Sequence, residues 1–387
     1  NAPDLQIEAN GTLGNGGAVL AASPVTIEIG ASPFSGTRGT FVGNEAMNGG
    51  AIALSSDPDL GSSTGSGIVT LSSRDAERPQ VLAGNRAHGK GGVLWIDRQG
   101  APSPASNVSK VCTWGVGLEG NDARYGGSAV ALTGQSAVYQ NDPDCVQTFT
   151  YCGNPSCNRF SGNVANHDDG QPSEYGSLFD VRDSADFQLT GARVVQNTLP
   201  WLFRMAHSSV SEPAPTIGVD MAFIYGNTVA SLLLQCTACS FEATASTIAG
   251  NAIADAVLIN SPRNFILRES IIDQPGRLLF AANPVPGQST LEHLLYTSNY
   301  TSSIPTVRFG DPGFMNAAAG DYRLAVTSTA MDVLPERGGY DFIGRTRTVD
   351  VPWHANDLGA RDLGAVETQL YELNEGIFSS GFDLKPD

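Results

Sequence analysis

Short apolar runs recur along the chain, each closed by a small polar cluster in which Gly and Asn dominate. Thr40-Phe-Val-Gly-Asn44-Glu-Ala46 leads through Gly49-Gly50 into Ala51-Ile-Ala-Leu54, and Val81-Leu-Ala-Gly-Asn85-Arg-Ala87 leads through Gly91-Gly92 into Val93-Leu-Trp-Ile96. Gly117-Leu-Glu-Gly-Asn121-Asp-Ala123 then leads through Gly126-Gly127 into Ser128-Ala-Val-Ala-Leu132. Runs this short, bounded by residues that tolerate left-handed backbone, predict strands joined by tight turns rather than helices. A partial copy opens the chain at Asn15-Gly16-Gly17, and a looser one, Phe160-Ser-Gly-Asn163, widens its polar gap before Tyr175.

Further along, the paired glycines vanish but the Asn persists at Asn197, Asn227 and Asn251, with Ile271-Ile-Asp273 continuing the series. A repeat of about 24 residues suits a coil of three short strands and three turns better than a propeller blade of about 40. The predicted fold is therefore all-β, a right-handed parallel β-helix. Each coil buries its inward residues only against the coils above and below, so equivalent turns must recur in register. Asn44, Asn85, Asn121, Asn163, Asn197, Asn227 and Asn251 are expected to stack as a hydrogen-bonded ladder. The helix is expected over residues 1–300, followed by a less regular closing region over 301–387. Segments 98–116 and 140–158 are expected to project as loops.

Composition agrees with this picture. Charged residues make up 16% of the chain, too few to coat many solvated helices. The net charge of −17 argues against nucleic acid, whose binding relies on Lys and Arg neutralising phosphates. No apolar run is long enough for a transmembrane helix. No basic-then-apolar leader precedes Asn1, which is the expectation for a mature exported chain. The six cysteines fit disulfides in an oxidising compartment: Cys152 with Cys157, Cys236 with Cys239, and Cys112 with Cys145.

Three segments carry resemblances. Phe41-Val-Gly-Asn44 with Gly49-Gly50-Ala51-Ile52, and Phe160-Ser-Gly-Asn163, resemble the passenger repeats of bacterial polymorphic outer-membrane proteins. Those are surface-exposed β-helices often linked to adhesion. Gly310-Asp-Pro-Gly-Phe314, Ala330-Met-Asp332, Tyr340-Asp-Phe-Ile-Gly344-Arg345 and Asp362-Leu-Gly-Ala-Val-Glu367 resemble the closing region of the choice-of-anchor Q family of secreted β-helix proteins. Ile377-Phe-Ser-Ser-Gly381-Phe382-Asp383 resembles a short C-terminal tag of secreted bacterial proteins. Together they imply a bacterial protein that is secreted or displayed at the cell surface.

Stacked coils should align the residues between the Ala and the glycines along one edge. Those residues are Met47 and Asn48, His88 and Lys90, Arg124 and Tyr125, then His167, Asp168, Asp169, Glu174 and Tyr175. Asn48, Lys90, Arg124, Tyr125, His167, Glu174 and Tyr175 are the binding candidates, with a carbohydrate or cell-surface glycan as the expected partner. The same edge also suggests a polysaccharide lyase or glycoside hydrolase. In a lyase, His88, Lys90, Arg124, Tyr125 or His167 would abstract the proton α to a uronate carboxylate while a cation neutralises that group. No cofactor is required, although Asp168, Asp169 and Glu174 could supply oxygen ligands to Ca²⁺.

Overall fold

The computed structural model describes residues 5–8, 14–21, 25–31, 39–55, 67–73, 80–97, 109–134, 137–141, 158–207, 213–231, 233–236, 239–255, 257–260, 264–281 and 289–369. It is a right-handed parallel β-helix. Each full coil contributes to four ladders. In the coil of Asn85 the strands are Gly67–Ser73, Gln80–Ala83, Arg86–Ala87 and Leu94–Asp97, each paired in parallel with its equivalents in neighbouring coils.

Every ladder alternates inward and outward residues with the period of two that a strand imposes. On the fourth ladder, Leu94, Val130, Phe179, Phe203 and Leu234 share one inward column, whereas Trp95, Ala131, Asp180, Arg204 and Gln235 share an outward one. The inward columns merge into one continuous core. Aromatic rings continue the stack midway, with Phe179 and Phe203 at 5.2 Å and Tyr139 and Phe187 at 4.8 Å.

The asparagine ladder runs unbroken through all seven predicted residues. The Nδ2 groups of Asn44, Asn85 and Asn121 each donate to Oδ1 of the next Asn at 3.0 Å, and those of Asn163, Asn197 and Asn227 do so at 2.8 Å. The same oxygens accept the preceding backbone N–H, as Asn163 Oδ1 does from Asn121 at 3.0 Å. Coil length varies along the ladder, from 42 residues between Asn121 and Asn163 to 24 between Asn227 and Asn251, yet the Asn position holds. Asp273 does not extend the ladder. Register places it opposite Ala249, so Pro275 stands where the next Asn would be.

The glycine pair serves two needs. The first member, Gly49 or Gly91, has φ of +65° or +70°. At the second, Gly50 or Gly92, a Cβ would run into the carbonyl oxygen of the next coil, Gly92 or Ser128 respectively. Backbone bonds from Gly91 to Gly126 and from Gly92 to Gly127 show that the matching pair in the third repeat is Gly127-Ser128. Gly126 therefore occupies the column of Asn48 and Lys90, one step away from the alignment the sequence suggested.

Residues 109–114, expected in a projecting loop, form a strand paired with Gly67–Ser73 and Ala137–Asn141, and Cys112 is buried within it. Residues 98–108 and 142–157, and with them Cys145, Cys152 and Cys157, lie outside the described residues. Cys112 is disulfide-bonded. Cys236 and Cys239 form the expected bridge at the corner between two coils, with Cα atoms 5.9 Å apart. Closing a loop this short contributes about 2 kcal/mol by the chain-entropy relation. The C236A/C239A variant should therefore unfold at lower denaturant with an unchanged slope, and an unchanged midpoint would refute that.

Beyond the last coils, residues 310–369 lie against the flank of the helix. Their Tyr322, Phe342, Ile343, Ala365 and Val366 pack on Val195, Phe223, Tyr225 and Ala249, outward residues of the second ladder. Leu324, Met331, Leu334, Val351 and Leu363 cover Ile271 and Leu295. Arg361 donates to Glu269 at 2.7 Å across the seam.

Candidate functional site

Of the four ladders, the third is the shortest and forms the predicted edge. Its two-residue strands point the residue after each ladder Asn outward and the following one inward. The inward column is Ala46, Ala87 and Ala123, small because the turn is narrow there, and the outward column is Glu45, Arg86 and Asp122. Register then brings Met47, His88, Arg124 and Asn166 into the next column, and Asn48, Lys90, Gly126 and Tyr175 into a further one.

The widened gap after Asn163 folds into a small hairpin with an Asn166 to Pro172 bridge and a turn closed from Gly170 N–H to His167 O at 2.9 Å. Ser173 Oγ donates to Arg124 O at 2.5 Å, pinning the hairpin to the coil before it. Its tip carries Asp168 back over two coils. Asp168 Oδ1 lies 2.6 Å from His88 Nδ1 and 3.7 Å from Arg86, and Oδ2 accepts from Arg124 at 3.1 Å. The hydrogen bond from His88, aided by the charges of Arg124 and Arg86, holds the Asp168 carboxyl below its usual range. The other ring nitrogen of His88 meets Glu45 at 2.6 Å.

His167 instead pairs with Glu174 at 3.0 Å. Asp169 accepts from its own turn, at Gln171 N. Asp168, Asp169 and Glu174 thus face three different partners, and among the described residues no three His, Cys, Asp or Glu side chains gather as a metal-holding group.

Tyr125 and Tyr175, 39% and 47% exposed, stand side by side with ring centroids 6.5 Å apart. The guanidinium of Arg124 sits 4.8 Å from the Tyr125 ring centre. Asn48 works structurally: its amide donates to Asn15 at 3.0 Å and its oxygen accepts the Lys90 N–H at 2.9 Å.

Lys90 separates from the other candidates. It lies near Asp97, Asp180, Arg182 and Arg204 on the fourth ladder, and burial, then Arg182, lower its pKa. Arg182 grips Asp180 with two bonds of 2.7 Å. Arg204 donates to Tyr175 O at 3.0 Å and lies 5.1 Å from the Trp201 ring centre. Asp180, Arg182 and Arg204 escaped sequence reading because they lie on the fourth-ladder strands that follow the polar gap, not in the gap itself. Glu45, Arg86 and Asp122 were within reach, since alternation points the residue after a buried Asn outward.

The class of protein defined here is a parallel β-helix with a charged, aromatic edge along its shortest face. No protein-family model, curated protein or solved structure matches the chain. No helix among the described residues is long and apolar enough to cross a membrane.

Proposed function

We propose that this protein is a secreted or surface-displayed binding or adhesion module directed at carbohydrate. The observation that carries the reading is the Tyr125 and Tyr175 pair. Two exposed rings on successive coils offer flat apolar faces beside polar groups, the arrangement that suits stacking on sugar rings. Export is supported by the resemblance of the repeats to passenger domains and of residues 310–367 to the choice-of-anchor Q closing region. The Cys236 to Cys239 bridge fits an oxidising compartment.

Binding is favoured over lyase chemistry at His88 because both of its ring nitrogens face carboxylates and leave it no open lone pair to aim at a substrate proton. The Y125A/Y175A variant should lose at least about tenfold in retention on a glycan array, roughly 1.4 kcal/mol, at an unchanged unfolding midpoint. Unchanged retention would count against the platform. An absorbing unsaturated product released from uronic-acid polymers would move the assignment to a lyase.

A further inference from the structure

We infer that Arg86, His88 and Arg124 form a cradle for the carboxylate of an acidic sugar, and that Asp168 fills it as the protein's own stand-in for that ligand. The cations and the carboxylate have different origins. Arg86, His88 and Arg124 project from two successive rungs whose register is set by the buried Asn ladder, so their spacing is fixed by the scaffold. Asp168 comes instead from the exposed turn of a hairpin that leaves the coil and folds back two rungs.

Both carboxylate oxygens are used, one by His88 at 2.6 Å and the other by Arg124 at 3.1 Å, with Arg86 at 3.7 Å. This is the contact pattern an external carboxylate would need. Tyr125 and Tyr175 flank the cradle, so a sugar stacked on them can direct its carboxylate toward Arg124, whose guanidinium already lies against Tyr125. The net charge of −17 would repel an acidic polymer at long range, but salt screens that field beyond about 8–10 Å and leaves the local cradle in control. Each exposed ion pair is worth less than about 1 kcal/mol, so an incoming carboxylate can displace Asp168.

This deepens the carbohydrate-binding reading and rests on it. Polygalacturonate and its carboxyl-reduced neutral counterpart would be titrated into the intact protein and into D168N, which keeps the turn residue's size and removes its charge. D168N should bind polygalacturonate about tenfold more tightly than the parent while its affinity for the neutral polymer stays the same. Adding R124A to D168N should abolish that gain, and raising salt should shrink it. If D168N gains nothing although both proteins bind the neutral polymer, the cradle is a surface ion-pair network and only this inference falls. If neither protein binds any glycan, the carbohydrate reading falls with it.

Discussion

Replacing Asn163 by Leu should cost about 4 kcal/mol and bring the helix close to unfolding. Asn163 is completely buried, and its Oδ1 accepts both the backbone N–H and the side-chain amide of Asn121 at 3.0 Å. Its own amide donates to Asn197 Oδ1 and to the backbone oxygen of Leu118. Leucine is similar in size and leaves two buried donors of Asn121 without acceptors, at about 1–3 kcal/mol each. Domains of ordinary stability have only about 5–15 kcal/mol in total. Because the ladder links every coil through the next, the loss should be felt on both sides of the change. Denaturant unfolding of the purified variant measures it, and a cost below about 1 kcal/mol would show that the ladder is incidental.

The second large effect concerns the flank region and should appear as a gain. Asp332 is fully buried in a left-handed conformation, with φ of 55°. Its carboxylate lies near the Val351 N–H and 3.7 Å from His354 Nδ1, and neither contact is a well-formed hydrogen bond. Burial, reinforced by neighbouring Asp362, raises its pKa from 3.8 to about 6. The sign follows from linkage. A carboxyl with a folded pKa above its unfolded one contributes fully below about pH 4, and that contribution is lost as pH rises through about 6. At about 1.4 kcal/mol per pH unit, the loss by pH 8 is about 3 kcal/mol.

D332N should recover much of that at pH 8 and change little at pH 4, since Asn tolerates the backbone conformation. Nearby Asp362 and Glu367, both pushed above the usual carboxylate range chiefly by burial, give the parent the same direction of dependence. Protease resistance of residues 310–369 against pH, in parent and variant, reports the effect. A variant less stable than the parent at pH 8 would overturn the argument.

The repeat was readable because its constraints are local to each turn and identical in each coil. A buried Asn followed by an outward residue and a small inward one is written the same way at Asn44, Asn85 and Asn121, whatever the length of the intervening loop. Contacts that jump coils were not readable. Asp168 reaches His88 only because the widened gap folds backward, and Lys90 lies near Asp180 and Arg182, where Gly126, one rung on, leaves room for the Asp180 carboxylate. Phe223-Ile-Tyr225 and Ile271-Ile272 are buried on both faces because residues 310–369 supply the second cover, and nothing in the repeat pointed to that cover.

The amino-acid order by itself determined the solenoid and its ladder of asparagines, since each coil must bring its buried Asn into register with the next. Which polar residues meet, and which charges cancel, was decided only by the tertiary structure. Excursions between the coils differ in length, and the direction each one folds depends on neighbours distant in the chain.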